Sequence, residues 1–263
     1  MAADTTLDTQ QPIRRWRWTA LALAVVQLFT PAAITQAYGE FLSTGATNAA
    51  LITPAGYAFS IWGPITLLCA ITCALITRFG LNAPWERQLL VAASTVFVGF
   101  VAWLLAAAQD WLWVTVAIFA VMVTALLWIM RTLTQQGASA ATPTWLLRLT
   151  IITLGLYLGW SGVAVFANIA AALIDGGWPS SDVTWQAVIL VVAAVAACGV
   201  TLYLRGTPGY VAATLWALVA ISIGAAQRGS TLLAGMSAVA AGAVLAAAIT
   251  AVLTARSRRS DGG

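Results

Sequence analysis

Eight separate stretches of the chain consist almost wholly of apolar residues, and each is long enough to cross a bilayer as a helix. They run over about residues 18–38, 56–78, 88–108, 111–131, 147–173, 185–204, 210–226 and 231–255. A helix of roughly 20 apolar residues spans the ~30 Å hydrocarbon layer. Uninterrupted runs such as Val188–Val200 lack the alternation of an outer-membrane barrel strand. Only 8% of the residues are charged, where a soluble domain carries about 25%. A water-soluble globule, a disordered chain, a disulfide scaffold and a collagen-like fibre are all excluded. The sequence predicts an all-α integral membrane protein of about eight spans.

The arginines predict how these spans are oriented. Arg14, Arg15 and Arg17 precede the first span, Arg78 and Arg87 flank the second loop, and Arg131 and Arg148 flank the fourth. Arg205 follows the sixth span, and Arg256, Arg258 and Arg259 follow the last. With eight spans all of these fall on one side and only Arg228 on the other, whose loops carry Glu40, Asp110, Asp175 and Asp182. The positive-inside rule then places both termini in the cytoplasm. The first span reads as a retained helix, because its apolar run continues through Pro31 to Tyr38 and is long for a signal peptide. All 12 basic residues are arginine and alanine is abundant, which fits a GC-rich bacterial genome and a bacterial plasma membrane. Arginines facing anionic lipid account for the pI of about 9.3 without nucleic acid. The expected partners are membrane lipids and a small hydrophobic ligand, and a homodimer is compatible with the chain.

Missing residue types narrow the chemistry. Without lysine there is no retinal or pyridoxal Schiff base, and without histidine no Ser-His-Asp triad, His-ligated haem or imidazole relay. Cys69 and Cys73 stand i,i+4 on one apolar helix with no carboxylate nearby in sequence, so they read as buried thiols, as does Cys198, and no metal is expected. No charge falls at the centre of a span, which argues against a voltage sensor, a proton pump or a carboxylate-coupled carrier. Of the 13 tryptophans, Trp16, Trp18, Trp85, Trp111, Trp113, Trp128, Trp145, Trp178 and Trp185 lie near span ends and suit an interfacial belt. Trp62, Trp103, Trp160 and Trp216 lie deeper.

The fifth span is the most informative. Tyr157, Trp160, Ala164 and Asn168 are spaced to share one helix face. An amide in hydrocarbon needs a partner, so Asn168 faces other helices, either as an interhelical bridge or as a ligand contact. Gly155 and Gly159 form a small-xxx-small pair that lets a second backbone approach. In the second span, Pro54 suits a helix start, Phe59 and Trp62 are i,i+3 neighbours, and Pro64 is expected to loosen the first turns and free a carbonyl, with a merely kinked helix as the alternative. The topology places Trp62, Trp103 and Trp160 to Asn168 in the non-cytoplasmic half. The loop over about 39–55 opens on that side, long enough to serve as a lid. Aromatic walls, one amide and a lid suit a flat apolar ligand.

Tyr157-Leu158-Gly159-Trp160, followed by Ala164 and Asn168, resembles the last-helix signature of the TspO/MBR family, the tryptophan-rich sensory or translocator-like proteins. Pro54 and Trp62 are similar to that family's second-helix Pro and Trp, and Trp103 to its third-helix Trp. The resemblance implies a TspO-like five-helix bundle over residues 16–178. A three-helix extension would occupy 179–256, between polar tails at 1–15 and 257–263. It also implies a site for a tetrapyrrole, sterol or related ligand lined by Pro54, Tyr57, Phe59, Trp62, Phe100, Trp103, Tyr157, Trp160, Ala164 and Asn168. Ala58 stands where the family carries an aromatic, Phe100 where it carries an asparagine, and Thr53 where it carries the first of two prolines. These departures predict a more apolar pocket.

The reading that follows is a membrane-embedded binding or sensory protein for a flat hydrophobic ligand, a porphyrin or haem-like molecule among them, with no required cofactor. The alternatives are a small permease for such a ligand and a Trp-dependent tetrapyrrole-degrading enzyme. Enzymatic chemistry ranks below binding, because no catalytic constellation is present.

Overall fold

The computed structural model describes residues 5–39, 49–136 and 141–260. Among them are eight long helices: α1 (Thr5–Tyr38), α2 (Trp62–Phe79), α3 (Glu86–Ala108), α4 (Leu112–Gln136), α5 (Thr144–Asp175), α6 (Val183–Tyr203), α7 (Pro208–Gln227) and α8 (Thr231–Ser260). All eight contain stretches long and apolar enough to cross a membrane. Their bounds follow the apolar runs closely, because in hydrocarbon a segment must satisfy its own backbone hydrogen bonds and the helix does so.

Burial separates inner helices from outer ones. The spans of α3, α5 and α7 are each 61% buried, against 22–39% for the others. α5 therefore stands at the centre, packed against α2, α4, α6 and α7, while α1 lies against α2 and α3 and α8 against α6 and α7. α1 turns Ala20, Ala24, Gln27, Thr30 and Ile34 inward, a spacing of three and four residues that keeps them on one face.

The closest approach in the bundle is between α5 and α7. A Cβ at Gly155 would lie 2.9 Å from the Tyr210 backbone nitrogen, and one at Gly159 would run into the Tyr210 carbonyl oxygen. The small-xxx-small pair thus meets α7, the second helix beyond the five-helix segment, with Gly209 reciprocating against the Ile152 carbonyl. Thr72 of α2 and Thr153 of α5 share a buried hydrogen bond of 3.0 Å.

Two ends of the bundle are held by charges. Glu86, fully buried at the start of α3, accepts from Arg17 Nε at 2.6 Å. It also accepts from the backbone N–H groups of Leu81 at 3.1 Å and Asn82 at 2.8 Å. This closes the α2–α3 turn, which Gly80 (φ 70°) and Asn82 (φ 52°) complete in the left-handed region that Gly and Asn tolerate best. At the opposite end Arg228, between α7 and α8, donates to the Thr53 carbonyl at 2.7 Å. Burial pushes the pKa of this guanidinium below its ordinary value.

Three sequence expectations are corrected. The second span opens with a 3₁₀ turn, Gly56–Ile61, and α2 proper begins only at Trp62. Pro54 therefore precedes the turn rather than starting a helix. Pro64 falls in the first turn of α2, where a missing N–H costs nothing. Trp85 and Trp185 are buried, at 3% and 9% exposure, and are not belt residues. The turn that carries Glu86 inward carries Trp85 with it. Trp185 folds under the α5–α6 loop, donating to the Pro179 carbonyl at 3.1 Å. Trp18, Trp111, Trp113, Trp128, Trp145 and Trp178 are exposed as an interfacial belt requires.

Candidate functional site

Trp62, the first residue of α2, is the hub of an aromatic cluster. Its ring centroid lies 4.6 Å from Phe100, 5.6 Å from Trp103, 5.4 Å from Tyr157 and 6.2 Å from Trp160. Phe59 of the 3₁₀ turn meets Trp160 edge-on at 5.7 Å. Phe97 stacks near Tyr157, and Phe119 of α4 meets Trp103 at 5.1 Å. Edge-to-face and tilted pairs of this kind align ring edges with π faces and contribute about 0.5–1.5 kcal/mol each beyond burial. The cluster forms because the start of α2, the later half of α3 and the middle of α5 converge.

Polar groups ring this cluster. Asn168 Oδ1 accepts from Thr115 Oγ1 at 2.8 Å and from Trp103 Nε1 at 3.4 Å, and Asn168 Nδ2 donates to the Ala164 carbonyl at 2.9 Å. The amide therefore ties α3, α4 and α5 together. The Tyr157 hydroxyl donates to Gln27 Oε1 of α1 at 3.2 Å. Trp62 Nε1, Trp160 Nε1 and Gln27 Nε2 are buried without a hydrogen-bond partner. A buried donor left unpaired costs about 1–3 kcal/mol, and this site holds three.

Of the ten residues singled out from sequence, Phe59, Trp62, Phe100, Trp103, Tyr157 and Trp160 are brought into contact, with Ala164 and Asn168 one turn and two turns further along α5. Tyr57 lies elsewhere: it is 47% exposed and meets Trp216 edge-on at 5.5 Å. Pro54 is buried in the segment 49–55, which α6 and α7 hold. Most of the expected lid, residues 40–48, lies outside the described residues. Its described remainder is firmly anchored. Gln186 Oε1 accepts from Leu51 N–H at 2.6 Å, Ala55 N–H donates to the Ala220 carbonyl at 2.9 Å, and Trp216 Nε1 donates to the Ala58 carbonyl at 3.1 Å.

Gln27, Phe97, Thr115, Phe119, Gln186 and Trp216 were not legible as part of this region. Gln27 carried a signal, an amide in the middle of an apolar span. Thr115 and Phe119 carried none, since either residue is ordinary in a membrane helix. Cys69 and Cys73 are buried free thiols on α2.

The family model for TSPO-like proteins matches residues 15–255. The chain belongs to the TSPO-like protein family. The match runs through α6, α7 and α8 as well as the first five helices, and so includes the residues that anchor segment 49–55 in this TSPO-like bundle. No curated protein matches the chain. No solved structure matches it either. The fold and the membership together make it a membrane-embedded TSPO-like protein.

Proposed function

We propose that this TSPO-like protein binds a flat hydrophobic ligand, of tetrapyrrole or sterol-like shape, among Trp62, Phe100, Trp103, Tyr157 and Trp160, and acts as a sensory or binding protein. The observation that carries this reading is the pair of buried, unpartnered indole N–H groups of Trp62 and Trp160 inside an aromatic cluster. A purely structural cluster gains nothing from unpaired donors. A flat ligand sliding between the rings would cover π faces and could offer an acceptor to either indole.

The rings touch one another in this structure, so entry requires one wall to move. Phe59 is the movable wall, because it stands on a 3₁₀ turn whose hydrogen bonds are weaker than those of an α-helix. Entry from the side of the 39–55 loop follows. The five helices over 16–178 supply the rings and the segment 179–256 supplies the anchors of the loop. The setting is a bacterial plasma membrane with both termini cytoplasmic, and binding needs no cofactor.

The test is tryptophan-fluorescence titration of the detergent-solubilised full chain with protoporphyrin IX and with a sterol. Trp160→Ala should weaken binding roughly three- to tenfold, the worth of one aromatic wall. Trp145→Ala, an exposed belt residue, should leave it unchanged. Equal affinity of Trp160→Ala and the unaltered chain overturns the assignment.

A further inference from the structure

A cavity separate from the aromatic cluster lies at the other end of the bundle, where α4 and α8 end and α6 turns into α7. It has a volume of about 910 Å³ and is lined by Arg131 and Arg205 above an apolar wall that includes Leu147, Ile151, Leu202 and Val252. We propose that it binds the phosphate group of an acidic phospholipid, with the acyl chain lying along that wall.

The arginines are placed for this task. The Arg131 guanidinium lies over the Tyr203 ring, its Cζ 4.0 Å from the centroid. A cation–π contact occupies a ring face and no anionic acceptor, so the guanidinium can still fork onto two phosphate oxygens. Arg205 stands on a tight turn at φ 55°, followed by Gly206 at φ 67°. The turn is fixed by Gly206 N–H to the Thr201 carbonyl at 2.8 Å and Thr207 Oγ1 to the Leu204 carbonyl at 2.7 Å. A Cβ at Gly206 would lie 3.1 Å from the Ala248 carbonyl of α8, so the turn abuts that helix. Among the described residues the ion pair is Arg17 with Glu86, and no carboxylate neutralises Arg131 or Arg205.

Arg205 is also an expensive choice for its position. A long side chain in the left-handed region is strained, and glycine or asparagine would fit more cheaply. The positive-inside rule asks for an arginine near this end of the span but not at the left-handed residue itself. Two unpaired guanidinium groups at the mouth of an apolar wall match a lipid, charged at one end and apolar along the other.

The thermal midpoint of the full chain in neutral detergent should rise with added phosphatidylglycerol, and not with phosphatidylcholine at the same mole fraction. The phosphatidylglycerol needed for half the rise should increase roughly fivefold in Arg131→Gln and again in Arg205→Asn, about 1 kcal/mol per arginine. Asparagine tolerates the left-handed backbone, so Arg205→Asn should fold at least as well as the unaltered chain and decides the matter if Arg131→Gln does not fold. Arg148→Gln, exposed on α5, should keep the full response. An unchanged phosphatidylglycerol response in Arg205→Asn, or an equal rise with phosphatidylcholine, overturns the proposal. An equal rise with glycerol phosphate overturns the lipid as source and assigns the cavity to a soluble phosphate.

Discussion

Asn168 shows how one side chain fixes three helices. Its carbonyl oxygen accepts from Trp103 of α3 and Thr115 of α4 while its own backbone belongs to α5. Replacing it by leucine of similar volume leaves the Trp103 N–H without a partner, whereas Thr115 retains the Leu112 carbonyl at 2.6 Å. Interhelical hydrogen bonds inside membranes average about 0.6 kcal/mol, so Asn168→Leu should cost about 1 kcal/mol of thermal stability. Adding Trp103→Phe to Asn168→Leu should cost less than Trp103→Phe alone, and a double-mutant cycle on purified variants measures the difference. Additive losses would show that the 3.4 Å contact carries no energy. Glu86 is the opposite case, a charge whose removal strands others. Glu86→Leu should destabilise by up to about 3 kcal/mol, because Arg17 and the N–H groups of Leu81 and Asn82 all lose their acceptor. Chemical denaturation in mild detergent reads this loss directly.

Among the elements, the α5–α7 contact carries the most consequence. Gly155 and Gly159 are read easily from sequence as a close-approach surface, but which helix approaches is not. Leucine at Gly159 would drive its side chain into the Tyr210 backbone, and overpacking of this kind costs about 1–3 kcal/mol. Gly159→Leu should therefore lower the thermal midpoint more than Gly162→Leu, since Gly162 has open space around its Cβ position. The α-helical start at Trp62 is a further point of element scale. A 3₁₀ turn before Trp62 sets the direction in which Phe59 meets Trp160. A regular α-helix from residue 56 would rotate Phe59 away from that contact.

Across the whole molecule, α6 and α7 hold the segment that leads into the aromatic cluster. Gln186, Ala220, Trp216 and Arg228 reach Leu51, Ala55, Ala58 and Thr53 respectively. Releasing the anchors should loosen the segment without unfolding the bundle. In Gln186→Leu combined with Arg228→Leu, amide hydrogen exchange over 49–58 should speed up at least tenfold while exchange within α5 stays unchanged. Uniform acceleration in both regions would mean that these anchors support the entire fold. Topology is also a property of the whole chain. Reporter fusions at Gly177 and Gly206 should report opposite sides of the membrane, with Gly206 on the side of the termini, and the same side for both would contradict eight spans.

The spans themselves were determined by sequence alone, because about 20 apolar residues in a bilayer have one way to satisfy their backbone. The stripe Tyr157, Trp160, Ala164 and Asn168 was equally legible, since helical spacing decides which residues share a face. Trp62 and Trp103 could be placed near that stripe once the spans alternated in direction. The partners of these residues were decided only by tertiary structure. Nothing in the pattern around Gln27 or Phe119 says which neighbour each will meet, because apolar helices offer many interchangeable faces to one another. Trp85 looked like an interfacial residue and became a core residue, beside the buried Glu86. A buried carboxylate is stable only where Arg17 and two backbone donors converge, and that convergence exists only after α1, α2 and α3 have packed.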